Sequence, residues 1–202
     1  MKESPMIRIM SDSDVDSAVK IHLAAFRGFF LSFLGRRFLE LYYRSGIRYN
    51  EILLVATENE RIVGFVMGSM APGRFFRNLL MRHTVSFALA AAPAVIKRPS
   101  VALRVMRAMQ KPKQATRPLA TATLLSIGVE PGSQRSGVGR KLVMAFNKVA
   151  QRHGALRVDL TTDKVNNEKV NEFYRSLGFV IAREIKTPEN RVLNEYELDL
   201  PT

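Results

Sequence analysis

The chain has no cysteine. That excludes disulfides and thiolate metal sites, and no cysteine can carry an acyl group. Histidine is scarce. His22, His83 and His153 are the only three, and they lie far apart in sequence. No zinc or iron centre is expected from so sparse a set. The opening residues Met1–Pro5 lead into a strand-like stretch and not an apolar signal region, so a cytoplasmic location is expected. The stretch Thr84–Ile96 is apolar but thirteen residues long. A membrane-spanning helix needs about 20.

Acid is the next shortage. Thirty-one Lys and Arg stand against 18 Asp and Glu, a formal net charge of +13. Such a balance favours anionic partners. The imbalance is concentrated in residues 71–118. That segment carries ten cations (Arg74, Arg77, Arg82, Lys97, Arg98, Arg104, Arg107, Lys111, Lys113 and Arg117) and no Asp or Glu.

What is present is enough apolar material for a core. Hydrophobic residues make up 47% of 202, which predicts one globular domain over 1–202. No internal repeat or linker interrupts it.

The densest local signal is Gln134-Arg135-Ser136-Gly137-Val138-Gly139, between a strand at Leu124–Val129 and a helix from Val138 to about His153. The helix follows from the stripe Val138, Leu142, Phe146 and Val149, with Gly154 just past its end. A glycine turn that opens a helix presents backbone N–H groups without internal partners, at the positive end of the helix dipole. An anion binds there readily. Gly137 and Gly139 leave no Cβ to hold a pyrophosphate away. Arg135, Arg140 and Lys141 add positive charge. Two glycines before a helix are also the form of an ordinary tight turn. The pattern is neither a Rossmann fingerprint nor a P-loop, whose Gly-Lys-Ser/Thr is missing.

Further along come Asn167, Val170, Phe173-Tyr174 and Leu177-Gly178-Phe179. Together with Ile127-Gly128-Val129-Glu130-Pro131 and the glycine loop, they make residues 124–179 resemble the GNAT superfamily of N-acetyltransferases. The resemblance implies an α/β fold with a mixed central sheet flanked by helices, and acetyl-CoA as co-substrate without a metal. It implies two strands, at Leu124–Val129 and Ala155–Thr161, that splay around the pantetheine arm. Backbone groups of Ile127 and Val129 would pair with that arm. The amides of Arg135 to Arg140, in a loop that begins at Gln134 and includes Ser136, Gly137, Val138 and Gly139, would hold the pyrophosphate. Asn167 would bond to the pantetheine side, and Tyr174 would protonate the departing thiolate. The chemistry is sound on its own terms, because a phenol near the sulfur can act as general acid. The departure is a missing carboxylate. Ala122–Val129 contains no acid, and Glu130 only follows the strand, so the general base stays unassigned.

The rest of the chain reads as strand, helix, helix and hairpin before the loop, and a hairpin after the last helix. Met6–Met10 is a strand. Asp12 or Ser13 caps a helix to about Phe26, with His22 on its packed face. A second helix spans Arg36–Arg44 and stops near Ser45-Gly46. Ile52–Thr57 pairs with Ile62–Ser69, and Val180–Ile185 with Val192–Leu200. In relatives the first two helices border the acceptor. Phe29, Phe30, Phe33, Tyr42 and Tyr43 then either line it or pack in the core.

The basic insertion at 71–118 is expected to be helical. Helices of this composition read as membrane-surface or anionic-ligand elements, or as a lid or dimerisation arm with a solvated basic side. Peripheral contact with an anionic membrane and a homodimer both follow from those readings. Nucleic acid is disfavoured, because aromatic and basic residues do not interleave on a strand platform. The expected reaction is direct transfer of acetyl to a primary amine of a small, anionic acceptor, first a nucleotide- or lipid-linked amino sugar. The alternatives are a protein N-terminal or lysine acetyltransferase, and a non-catalytic acetyl-CoA sensor.

Overall fold

A computed structural model describes residues 5–26, 30–82, 120–134, 136–188 and 190–201. The expectations for Phe29, Arg135 and the insertion beyond Arg82 lie outside them, as does the side chain of Phe30.

The chain begins with β1 (Met6–Ile9), a short 3-10 turn and α1 (Val15–Ala25). The cap differs from the sequence expectation. Asp14 accepts from the Ser11 backbone N–H and hydroxyl at 2.8 Å each, so the start is fixed by a Ser11–Asp14 box and not by Asp12 or Ser13. A short α2 (Phe30–Phe33) precedes α3 (Arg36–Arg48). That helix runs past Gly46, where the sequence had suggested a stop. A Cβ on Gly46 would come within 2.8 Å of Met67 Cε, so this glycine serves close packing.

β2 (Ile52–Glu58) and β3 (Arg61–Ser69) form the expected hairpin, with Asn59 and Glu60 at positive φ in its turn. Next come α4 (Pro72–Arg82), β4 (Thr121–Val129) and α5 (Val138–Arg152). β5 (Arg157–Asp163), α6 (Glu168–Arg175), β6 (Val180–Lys186) and β7 (Val192–Asp199) complete the chain.

The strands form one seven-stranded mixed sheet in the order β1-β2-β3-β4-β5-β7-β6. β4 and β5 are its parallel pair. A core lies on each face. On one, α5 and Tyr174 of α6 cover Leu54, Val66, Leu124, Val158, Leu160 and Tyr196. On the other, α1 and α3 cover Val55, Phe65 and Met67, with Phe75 and Leu79 of α4. Tyr42 and Tyr43 are buried there, so they pack and do not line an open acceptor surface.

Two irregularities in β4 shape the centre of the sheet. Met67 of β3 pairs with Ser126, but Gly68 pairs with Leu124, so Leu125 is an extra residue. Such a bulge bends the strand and changes which face its side chains take. Leu124, Ile127 and Val129 pack toward α5, while Leu125 packs toward α1 and α3. Second, β4 pairs with β5 only over Thr121–Thr123, opposite Arg157–Asp159. Beyond that rung the two strands part, leaving a V-shaped gap with Thr123 and Asp159 at its apex.

Candidate active site

The β5-facing backbone edge of Leu124–Val129 has no strand partner, because pairing ends at Thr123. Buried peptide groups need partners. A ligand with an amide-rich arm could supply them, and Ile127 and Val129 stand on this free edge. β4 then leads to Pro131–Ser133, a single 3-10 turn, and to Gln134 in extended conformation. Ser136 closes the turn by donating to the Ser133 carbonyl at 2.7 Å.

Gly137 has φ +83° and is the residue before α5. Glycine takes that left-handed conformation without cost. No side chain caps α5, so the N–H groups of Val138, Gly139 and Arg140 stay available at its positive end. Gly139 lies between Phe173 of α6 and Val129, at 3.4 and 3.7 Å from where its Cβ would be. The Arg140 guanidinium reaches Ser176 Oγ at 3.0 Å, tying the start of α5 to the end of α6.

α6 is held by asparagines. Asn167 donates to Thr162 Oγ1 at 2.7 Å and to the Asp163 carbonyl at 3.0 Å, so its amide nitrogen is engaged within the protein. Asn171 donates to the Asp163 carbonyl, and its own oxygen accepts from Asn194 at 2.9 Å and Tyr196 at 3.0 Å. The pattern F-Y-x-x-L-G-F had drawn attention to Tyr174. The anchoring role of Asn171 was missed, because its partners lie on β7, distant in sequence.

Tyr174 is 5% exposed, with its ring against Phe173, Phe179 and Tyr196. Burial raises its pKa well above the ordinary phenol value. The hydroxyl therefore keeps its proton at neutral pH, as a general acid must.

On the opposite face, beneath the bulge, lie His22, Tyr43, Tyr42 and Ser126. His22 is packed, as expected, at 2% exposure, and its Nδ1 is 2.7 Å from Tyr43 Oη. Desolvation lowers its pKa to about 4, so the ring is neutral. Burial raises both phenols, Tyr43 with a contribution from Tyr42. Ser126 is near enough to both to oppose that rise, although Tyr42 Oη makes no hydrogen bond of ordinary geometry. Glu130 is turned away from the gap and paired with Arg61. Among the described residues no group of three or more His, Cys, Asp or Glu could hold a metal.

The profile of the Acetyltransferase (GNAT) family matches residues 17–179. The chain belongs to the GNAT acetyltransferase family. It is thus an acyltransferase of a family that uses acetyl-CoA. No curated protein matches the chain. Among solved structures, the GNAT fold recurs in Ard1 from Thermoplasma volcanium, with 17% identity, 99% of this chain and 100% of that chain covered, and TM-score 0.64. It recurs in yncA, a putative acetyltransferase from Salmonella typhimurium solved with acetyl-CoA, with 16% identity, 98% and 95% covered, and TM-score 0.63. It recurs again in a ribosomal-protein-alanine N-acetyltransferase from Brucella melitensis, with 14% identity, 96% and 99% covered, and TM-score 0.62. These likenesses concern the fold. Among the described residues, no GNAT helix here is long and apolar enough to cross a membrane.

Proposed function

We propose that this GNAT enzyme transfers acetyl from acetyl-CoA directly to a primary amine, with Tyr174 as the acid that protonates the leaving thiolate. The observation that supports this most is the free β4 edge at Leu124–Val129, whose Ile127 and Val129 pack on the same core cluster as a buried, protonated Tyr174. In this reading Ile127 and Val129 pair with the pantetheine arm, and the amides of 134–140 receive the pyrophosphate. A strand N–H of the same edge stabilises the oxyanion as the amine adds.

The acceptor is a small molecule whose amine enters between the strands and whose anionic part lies outside. A nucleotide- or lipid-linked amino sugar has that form. Arg74 and Arg77 are exposed on α4, whose Phe75 packs on the α3 side of the sheet, and they suit such a tail. The protein would work in the cytoplasm, where acetyl-CoA is made, with peripheral docking through 71–118 where its acceptor is lipid-linked.

A thiol-release screen of nucleotide-linked amino sugars, polyamines and peptides tests the acceptor class. Tyr174→Phe tests the mechanism. It keeps the packing and removes the proton. kcat is expected to fall by about 10²–10⁴-fold with the KM for acetyl-CoA little changed. An unchanged kcat, with chemistry rate-limiting, removes Tyr174 from the role. Thiol release with no amine tested leaves the sensor reading in its place.

A further inference from the structure

The sheet ends at β6, and among the described residues no strand pairs with its outer edge. Every residue of this strand except Ile185 is exposed, including Val180 at 65% and Ile181 at 45%. An edge of this kind offers unpaired N–H and C=O groups to another chain.

The hairpin shows which groups these are. Thr187 donates its backbone N–H to the Arg191 carbonyl at 2.8 Å. The same register pairs Lys186 with Val192, Ile185 with Leu193, Glu184 with Asn194 and Arg183 with Glu195. Hydrogen-bonded pairs alternate along an antiparallel ladder. Ile185 and Arg183 therefore bond to β7, while the main-chain groups of Glu184 and Lys186 point away from it. Val192 agrees with this phase, since its carbonyl accepts at 2.9 Å from Lys164, just past β5 on the other side of β7. Ala182 is an extra residue between Ile181 and Arg183. Such a bulge blunts an edge, but here it spoils only the first half and leaves Arg183–Lys186 regular.

The charges on that regular half are self-complementary. Two copies that meet antiparallel about a two-fold axis at Ile185 set Glu184 of each against the partner's Lys186. Each of those pairs exchanges both main-chain hydrogen bonds. Opposite charges directly across a ladder stabilise it. Ile185 meets the partner's Ile185, and Arg183 falls opposite the partner's Thr187. Moving the axis to Glu184 or to Lys186 opposes like charges there, which destabilises. Axes between residues oppose an outward-pointing residue to an inward-pointing one and make no ladder. Glu184 is already paired with Lys164 at 2.6 Å, but both side chains are about half exposed. A contact so solvated is weak and leaves the carboxylate able to face a second cation.

We propose that β6 is an interface between two copies of this chain, joined edge to edge about Ile185 into one continuous sheet. β5 and β7 stand between this edge and β4, so the junction lies clear of the gap in each copy.

The test is analytical ultracentrifugation of the full chain over a concentration series. Wild type should show a concentration-dependent dimer. Glu184→Lys sets Lys against Lys, and Lys186→Glu sets Glu against Glu. Each should raise the dissociation constant at least about tenfold. An equimolar mixture of the two variants should associate again, because every Lys of one copy then faces a Glu of the other. Coenzyme A affinity should be equal in all of these proteins. Hydrogen exchange of wild type should slow at the Glu184 and Lys186 amides as concentration rises. Protein that sediments as a monomer at every concentration overturns the proposal. A dimer indifferent to both reversals overturns it as well, since it must be built on another face. Variants that dissociate singly and stay apart when mixed overturn the register. Should a variant fail to fold, exchange decides alone, and unprotected Glu184 and Lys186 amides in a wild-type dimer overturn the assignment.

Discussion

At the scale of single residues, burial sets the protonation states. His22 is held neutral in the fold, with its pKa lowered from 6.5 to about 4 by desolvation. The unfolded chain binds that proton more readily, so stability should fall as pH drops from about 6.5 toward 4, by roughly 3 kcal/mol in all. Asp14 acts in a separate window. Arg8 holds its carboxyl down at about 2, so its contribution is complete above about 4 and is lost as pH falls toward 2. His22→Gln keeps a partner for Tyr43 Oη and does not titrate in this range. Thermal melts of that variant should lose most of the slope between pH 6.5 and 4 and keep the fall below 4. A wild-type melting temperature flat across pH 4–6.5 contradicts this. The sequence showed His22 as a packed residue, since it shares a stripe with Val15 and Val19. It could not show that β4 and β5 stop pairing after Thr123, because where two strands part is a relation between strands and not a pattern within one.

At the scale of elements, most of the architecture was legible. Periodicity located α5 and both hairpins, and the motifs placed the loop and α6. Two features were not. Gly46 looked like a helix stop because sequence cannot distinguish a glycine needed for backbone freedom from one needed for contact with Met67. The extra residue Leu125 was hidden because a bulge is a relation between strands. Gly137 illustrates the legible kind and refines its reason. No atom lies within 4 Å of its Cβ position, so its φ of +83° is what demands glycine within the protein. A β-branched residue is a steric outlier there. Gly137→Val should therefore disturb the entry to α5 and strongly weaken coenzyme A binding, while the two cores, which lie elsewhere, keep the protein folded. Calorimetric titration alongside far-UV dichroism checks this. A folded variant with wild-type coenzyme A affinity removes the loop from the binding site.

At the scale of the whole molecule, charge is segregated. Among the described residues the +13 balance does not extend to the face beside the apex, where Asp159, Glu195, Glu197 and Asp199 outnumber Arg157 and Arg183. The excess cation lies in 71–118, beginning with Arg74, Arg77 and Arg82 of α4, which expose their side chains beside a half-exposed Phe76 and an exposed Met81. This separation leads us to assign the segment to partner choice and not to cofactor binding. Each Lys or Arg near an anionic bilayer is worth about 1 kcal/mol, so a few suffice for reversible docking. Vesicle binding should rise with anionic lipid content and fall with salt, since screening reaches about 8 Å at physiological ionic strength. Changing Arg104, Arg107, Lys111 and Lys113 to Glu should abolish vesicle binding and leave acetyl-CoA affinity as it was, because the loop we propose for the coenzyme is 134–140. Should acetyl-CoA affinity fall with vesicle binding, the segment reaches the cofactor site. Should wild-type protein ignore anionic vesicles even at low salt, the cations serve a soluble anionic acceptor or a subunit contact.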